Sequence, residues 1–155
     1  MIKNILIFDL DGTTIDSSHR QATKPDGTLD LAHWFENATP SKIFEDKLLP
    51  LSQQMHKRCK AGDYTVVCTA RTMQEADFEF LQNHGLNVDK VIYRPAGDMT
   101  PDAELKRKQL SSLFNLKQFK NLNKVMFDDA ASVRGTLRKI GITVIHPDKV
   151  QARVA

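Results

Sequence analysis

Five short, nearly continuous apolar runs set the frame of this chain: 3–8 (KNILIF), 64–68 (YTVVC), 88–93 (VDKVIY), 124–127 (KVMF) and 141–147 (GITVIHP). Runs of this length and character are strands covered on both faces. Between them the patterning predicts helices over 48–61, 73–84, 101–116 and 130–140. Gly62, Gly85 and Gly141 stand just past three of these, where a left-handed cap is wanted. Strand alternating with helix predicts an α/β chain, a Rossmann-like three-layer sandwich around a five-stranded, mostly parallel sheet. At 155 residues the chain can bury a real core, and no repeat, low-complexity tract or linker interrupts it. The expectation is one domain over 1–155.

Residues 17–49 break this rhythm. They read as a short irregular insert with one helix near 29–37, of a length at which loops tend to be functional. Lys24, His33, Trp34 and Lys42 offer it stacking and charge; packing of the loop onto the sheet is the favoured reading of Trp34 and Phe35.

Open parallel sheets bind ligands outside the carboxyl ends of their strands, so chemistry is expected where strands stop. The first predicted strand stops at Asp9-Leu10-Asp11, the second at Thr69-Ala70-Arg71 and the fourth at Asp128-Asp129. Side chains two apart on an extended chain share a face, so Asp9 and Asp11 are expected to reach one volume while Leu10 packs away. Carboxylates brought together need a cation or a shared proton. Three or four acids at one edge point to a hard divalent cation with oxygen ligands, Mg²⁺ by default. A phosphate beside that cation needs donors opposite it. Thr69 offers a hydroxyl, Lys106 a point charge, and Gly12 a tight turn that frees main-chain amides.

These parts suffice for phosphoryl transfer through an aspartyl-phosphate. Asp9 is expected to attack phosphorus, and Asp11 to move protons with a pKa above its neighbour's. Each part has a plainer reading: D-x-D as a turn, Asp128-Asp129 as a helix cap, Lys106 as one solvated cation among several. Their conjunction at one edge, in order, favours the chemistry. An EF-hand loop wants glycine sixth, whereas here it is fourth behind a strand. Two-component receiver domains place the acidic pair first and the lysine after the fifth strand, the reverse of this arrangement. No G-x-x-x-x-G-K-[ST] loop occurs.

With these motifs the chain resembles the haloacid dehalogenase (HAD) superfamily of phosphotransferases along nearly its whole length. "FDLDGTTID" is similar to that family's first motif, "VVCTAR" to the second, Lys106 to the third and "MFDDAASV" to the fourth. The resemblance implies Asp9 as nucleophile, Asp11 as acid/base, and Mg²⁺ held by Asp9, Asp128 and the carbonyl of Asp11. It implies Thr69, Ala70 and Lys106 around the phosphate, with Thr13 and Asp129 in support. A narrower likeness is to the 3′-phosphatase domain of bacteriophage polynucleotide kinases. "YRPAGDMTPDAELK" and the tail "FDDAASVRGTLRKIGITVI" carry it; it favours Lys106 over Lys108 and implies that Arg71 touches substrate. The insert is too short for a full cap, and an open site suits a bulky substrate or an oligomer whose neighbour supplies the lid.

The expected function is therefore a Mg²⁺-dependent phosphomonoesterase for a polynucleotide 3′-phosphate or a nucleotide. The alternatives are a small-metabolite phosphatase and a non-catalytic phosphate-binding module. A net charge of +3 does not by itself announce a nucleic-acid partner. Two cysteines, Cys59 and Cys68, are too few for a zinc site or a disulfide framework. No hydrophobic stretch approaches membrane-spanning length and the N-terminus does not read as a signal peptide, so a cytoplasmic location and no membrane partner are expected. Nothing in the sequence indicates an oligomer.

Overall fold

The computed structural model describes Ile2 and residues 4–154; Lys3, the first residue of the first predicted strand, lies outside the described residues. In chain order the strands are β1 (Asn4–Phe8), β2 (Ile15–Asp16), β3 (Lys47–Leu48), β4 (Tyr64–Cys68), β5 (Lys90–Ile92), β6 (Asn123–Phe127) and β7 (Thr143–Ile145). The helices are α1 (Leu31–Glu36), α2 (Pro40–Ile43), α3 (Leu51–Ala61), α4 (Glu75–Asn83), α5 (Asp102–Phe114), α6 (Ala131–Arg138) and α7 (Pro147–Val154). Five strands form one sheet in the order β5-β4-β1-β6-β7, parallel in every pairing. The chain winds outward from β1 in both directions, so the crevice between the ends of β1 and β6 is the switch point at which such sheets bind ligands.

The period of two along each strand sends its side chains into two separate cores. Ile5 and Ile7 of β1, Val66 and Cys68 of β4 and Met126 of β6 pack with Leu110, Leu113, Val133 and Leu137 from α5 and α6. Leu6, Phe8 and Val67 point the other way, against Leu51, Met55, Phe80 and Leu81 from α3 and α4. Both faces of β1 are thus covered, which is why its sequence is apolar without alternation. Each fully buried side chain of this size contributes roughly 1.5–3 kcal/mol. Cys68 is wholly buried in this packing, and burial pushes its thiol up to about 12.

Gly62 closes α3 in the left-handed conformation expected of it, φ 86°. The helix predicted from residue 48 instead begins at Leu51. Leu48 belongs to β3, which pairs antiparallel with β2 (Ile15↔Leu48, Asp16↔Lys47); Pro50, which lacks an N–H and suits a helix entrance, stands at the cap of α3. The insert holds the one helix expected near 29–37, α1, whose first turn is capped by the Asp30 carboxylate accepting the His33 N–H at 3.1 Å. It also holds two elements without a sequence signal, a 3₁₀ turn at Ser18–Arg20 and the short α2. The β2–β3 pairing ties both ends of the insert together, and Gln74 at the start of α4 donates to the Ala38 carbonyl at 2.9 Å. Among the described residues no helix is long and apolar enough to cross a membrane.

Candidate active site

Asp9, Thr69 and Asp128 each stand one position past a strand end, and each is held there in the same way. The Asp9 N–H donates to the carbonyl of Phe127, the Thr69 N–H to that of Ile92 and the Asp128 N–H to that of Ile145, at 3.0, 3.0 and 3.2 Å. Each acceptor is the last residue of the neighbouring strand. The sheet's own ladder therefore carries one step further and sets these residues in register.

Beyond Asp9 the chain turns sharply. The Leu10 carbonyl accepts the N–H groups of Thr13, Thr14 and Ile15, at 2.9–3.0 Å. Leu10 is buried in the core as expected, and Asp9 and Asp11 open into the same cavity, but their carboxylates take different partners. Period two applies only within an extended strand, and β1 ends at Phe8. The two carboxylates diverge into different surroundings.

Asp9 joins Asp128 and Asp129. One carboxylate oxygen from each lies within 4.8 Å of the others. Lys106, buried on α5, bridges two of them, its Nζ donating to Asp9 Oδ1 at 2.9 Å and to Asp128 Oδ2 at 2.7 Å; Lys108 is exposed. The Thr13 hydroxyl donates to Asp9 Oδ2 at 2.9 Å and accepts the Asp129 N–H at 3.2 Å. Arg134 holds the Asp128–Asp129 turn by donating to both carbonyls, at 3.2 and 2.7 Å. Asp128 also caps, accepting the Ala130 N–H at 2.9 Å. Gly12 (φ 77°) is required twice over: the backbone is left-handed, and a Cβ would stand 2.3 Å from Asp129 Oδ2.

Three carboxylates face one ammonium, which leaves negative charge in excess. Burial pushes the Asp9 carboxyl well above its ordinary value; Lys106 works against this and Asp128 adds to it. Asp128 is raised as well, again chiefly by burial. Burial opposes the charge on Lys106, but Asp9 and Asp128 outweigh it and hold the ammonium firmly protonated. Clustered hard oxygen donors with unbalanced negative charge are what a divalent cation such as Mg²⁺ takes, so the donor set fits the metal.

Asp11 lies in the opposite kind of setting. Arg71 grips it through two bonds, Nε to Oδ2 at 2.9 Å and Nη2 to Oδ1 at 2.6 Å, and Ser17 donates to it at 2.5 Å. The same guanidinium reaches Asp77 at 2.8 Å and Asp46 at 3.2 Å. Asp46, a buried residue near the end of the insert, takes a bidentate pair from buried Arg20 at 2.9 and 3.0 Å. Trp34 lies over both cations, 4.2 Å from the Arg20 guanidinium carbon and 5.7 Å from that of Arg71.

Burial pushes the Asp11 carboxyl up, but the charge and hydrogen bonds of Arg71 more than offset this and leave it below the ordinary range. The expectation that Asp11 would sit above Asp9 in pKa is therefore reversed, because the arginine pairs with one acid and the crowd of carboxylates surrounds the other. Arg71 spends its donors on acids, and in this arrangement it orients Asp11. Thr69 is fully buried, its hydroxyl accepting the Arg71 N–H at 3.1 Å; Ala70 and Arg71, and not Thr69, line the open space above.

That space is a cavity of about 720 Å³. Asp9, Asp11, Lys106 and Asp128 form its floor, α1 one wall, and the loop 95–101 another. Arg94 pins this loop, donating to the carbonyls of Ala70, Asp98 and Thr100 at 2.9, 2.9 and 2.6 Å and to Asp102 at 2.8 Å. Of the insert residues offered for substrate contact, only Trp34 lines the cavity; Lys24, His33 and Lys42 do not, and the Lys42 ammonium bonds to Asn37. Arg20, Asp46 and Asp77 carry no signal in the sequence, since buried ion pairs leave no periodic pattern; Arg94 stands in the stretch "YRPAGDMTPDAELK", which gave it no role of its own.

Residues 1–154 match the sequence pattern of the family described as bacteriophage T5 5′-deoxynucleotidase. The 5′-deoxynucleotidase of Escherichia phage T5 is 39% identical over 90 residues, covering 55% of this chain and 36% of the relative. The chain thus spans about a third of the length of that curated relative. Among solved structures, a chain of the Pnkp1/Rnl/Hen1 RNA repair complex superposes with a TM-score of 0.67 at 19% identity, over 94% of this chain and 42% of that one. A haloacid dehalogenase-like hydrolase from Streptococcus pneumoniae superposes with a TM-score of 0.63 at 14% identity, over 94% and 84%. The fold is HAD-like.

Proposed function

The chain belongs to the bacteriophage T5 5′-deoxynucleotidase family, and on the geometry of its site we propose that it is a Mg²⁺-dependent phosphomonoesterase acting on a deoxynucleoside monophosphate. The observation that carries this reading is the group of buried Asp9, Asp128 and Lys106 with the more exposed Asp129 at the floor of the cavity, in which three carboxylates face one ammonium. Mg²⁺ would be held by Asp9, Asp128 and the carbonyl of Asp11, with Asp129 in support, and would supply charge neutralisation for an incoming phosphate.

Asp9 attacks phosphorus, forming a carboxyl oxygen–phosphorus bond as the bond to the ester oxygen breaks. The leaving oxygen takes a proton from Asp11. Water then attacks the aspartyl-phosphate, its proton passes to Asp11, and phosphate departs with Asp9 restored. Arg71 holds Asp11 ionised, ready as the base of the second half-reaction. A phosphate dianion entering beside it raises its proton affinity and prepares it for the first. Lys106 neutralises charge on the phosphoryl oxygens, and the Thr69–Arg71 turn faces them.

The family name and the name of the phage relative support a 5′-nucleotide over a polynucleotide 3′-phosphate, and the walled cavity supports a small substrate over a strand end. A panel of deoxynucleoside 5′-monophosphates, 3′-phosphorylated oligonucleotides and sugar phosphates, each with Mg²⁺, tests this. Nucleotides are expected to lead; equal or faster release from the oligonucleotides overturns the substrate, and no release from any ester overturns the enzyme.

A further inference from the structure

The wall of the cavity opposite its acidic floor is apolar and exposed, which the phosphate chemistry alone does not require. Phe35 on α1 is 58% exposed and Met99 on the 95–101 loop 74%, with Leu31 also exposed, and all three line the same cavity as Asp9 and Lys106. Trp34 lines it too, with the guanidinium of Arg20 stacked against its ring. Both supports are built rather than loose: Asp30 caps α1, and Arg94 clamps the loop that carries Met99.

We propose that the face formed by Leu31, Trp34 and Phe35, together with Met99 from the loop, is the binding site for the nucleobase of the substrate. The inference rests on the phosphatase reading above, since the cavity joins this apolar wall to the phosphate floor and gives both ends of one small molecule a place. A volume of about 720 Å³ lies within the range of small-molecule sites. Stacking on aromatic rings suits every base, because each has a π-face, and a thioether adapts to flat ligands of different size.

Trp34 is the sole tryptophan of the chain, so its fluorescence reports on this wall directly and without turnover. Titration of the full chain with 2′-deoxyadenosine or thymidine, which carry no phosphate, is expected to quench it, and Phe35→Ala and Met99→Ala are each expected to weaken the titration about tenfold, on the scale of one lost stacking partner. In kinetics, the kcat/KM for deoxynucleoside 5′-monophosphates is expected to exceed that for 2-deoxyribose 5-phosphate at least tenfold. That ratio should fall about tenfold in either variant and recover in Phe35→Tyr. Both residues are exposed, so circular dichroism is expected to report intact folds; if one variant unfolds, the other carries the test. A wild-type ratio near one, or nucleoside quenching equal in wild type and variants, overturns the base site. Loss of all hydrolysis with quenching retained overturns the phosphatase reading and leaves the base site standing.

Discussion

Two charged groups sit side by side at the carboxyl edge of this sheet, and they are built on opposite principles. Around Arg71 and Arg20, three buried or half-buried acids (Asp11, Asp46, Asp77) meet two guanidinium groups through short, mostly bidentate bonds. Around Lys106, three acids (Asp9, Asp128, Asp129) meet one ammonium. The first group is satisfied by the protein alone and holds Asp11 in place at the edge of the cavity. The second is incomplete, and its incompleteness is its capacity for work. Asp9 and Asp11 are two residues apart in sequence yet fall on different sides of this divide.

Asp9→Asn probes the divide most sharply. Turnover is expected to fall by at least about a thousandfold, while the metal-free protein melts no lower than wild type, because one repelling charge has gone. A melting point several degrees lower would show that the second group stabilises the fold after all. Asp46→Ala should do the reverse and cost about 3–5 kcal/mol in urea unfolding, since it strands the buried Arg20 guanidinium and takes one of three acidic partners from Arg71; a loss under about 1 kcal/mol would break the contrast.

Mg²⁺ should stabilise wild type by about 2.7 kcal/mol at a hundred times its dissociation constant. Thermal melts of Asp128→Asn should lose that gain and those of Asp77→Asn should keep it. Gly12→Ala is expected to cost about 1–2 kcal/mol from its left-handed backbone, and to weaken the Mg²⁺ response by displacing Asp129.

The smallest effect is in pH. Asp9 and Asp128 have raised folded values, so the strain of keeping them ionised is relieved as pH falls from neutrality. Asp11 has a lowered one, so its contribution is complete above the unfolded carboxyl value of about 3.9 and is lost as pH falls through its folded value. Metal-free protein should therefore melt highest between those limits, below pH 7. Mg²⁺ should shift that optimum upward, and a monotonic profile without metal would count against opposed groups.

The legibility of the two groups in the sequence differs for a physical reason. Asp9, Thr69 and Asp128 come directly after strands whose short apolar runs are a local signal, and a parallel sheet gathers the residues just past its strands along one edge. Lys106 lies on a long helix whose start is clear. The insert is another matter. Arg20 and Asp46 are 26 residues apart and join through burial alone, with no periodicity to announce it. The β2–β3 ribbon is two residues per strand, below the length at which alternation can be read. The different settings of Asp9 and Asp11 were hidden for a third reason: β1 ends at Phe8, and the turn closed on the Leu10 carbonyl breaks the period of two before Asp11.

The main-chain bonds from Asp9, Thr69 and Asp128 to the final carbonyls of their neighbouring strands have one more consequence. They fasten the proposed reactive positions to the buried centre of the sheet, while the walls proposed to contact the rest of a substrate belong to segments outside it. Such a division lets the walls drift through substitution, and with them the choice of molecule accepted, without loosening the atoms that perform the reaction.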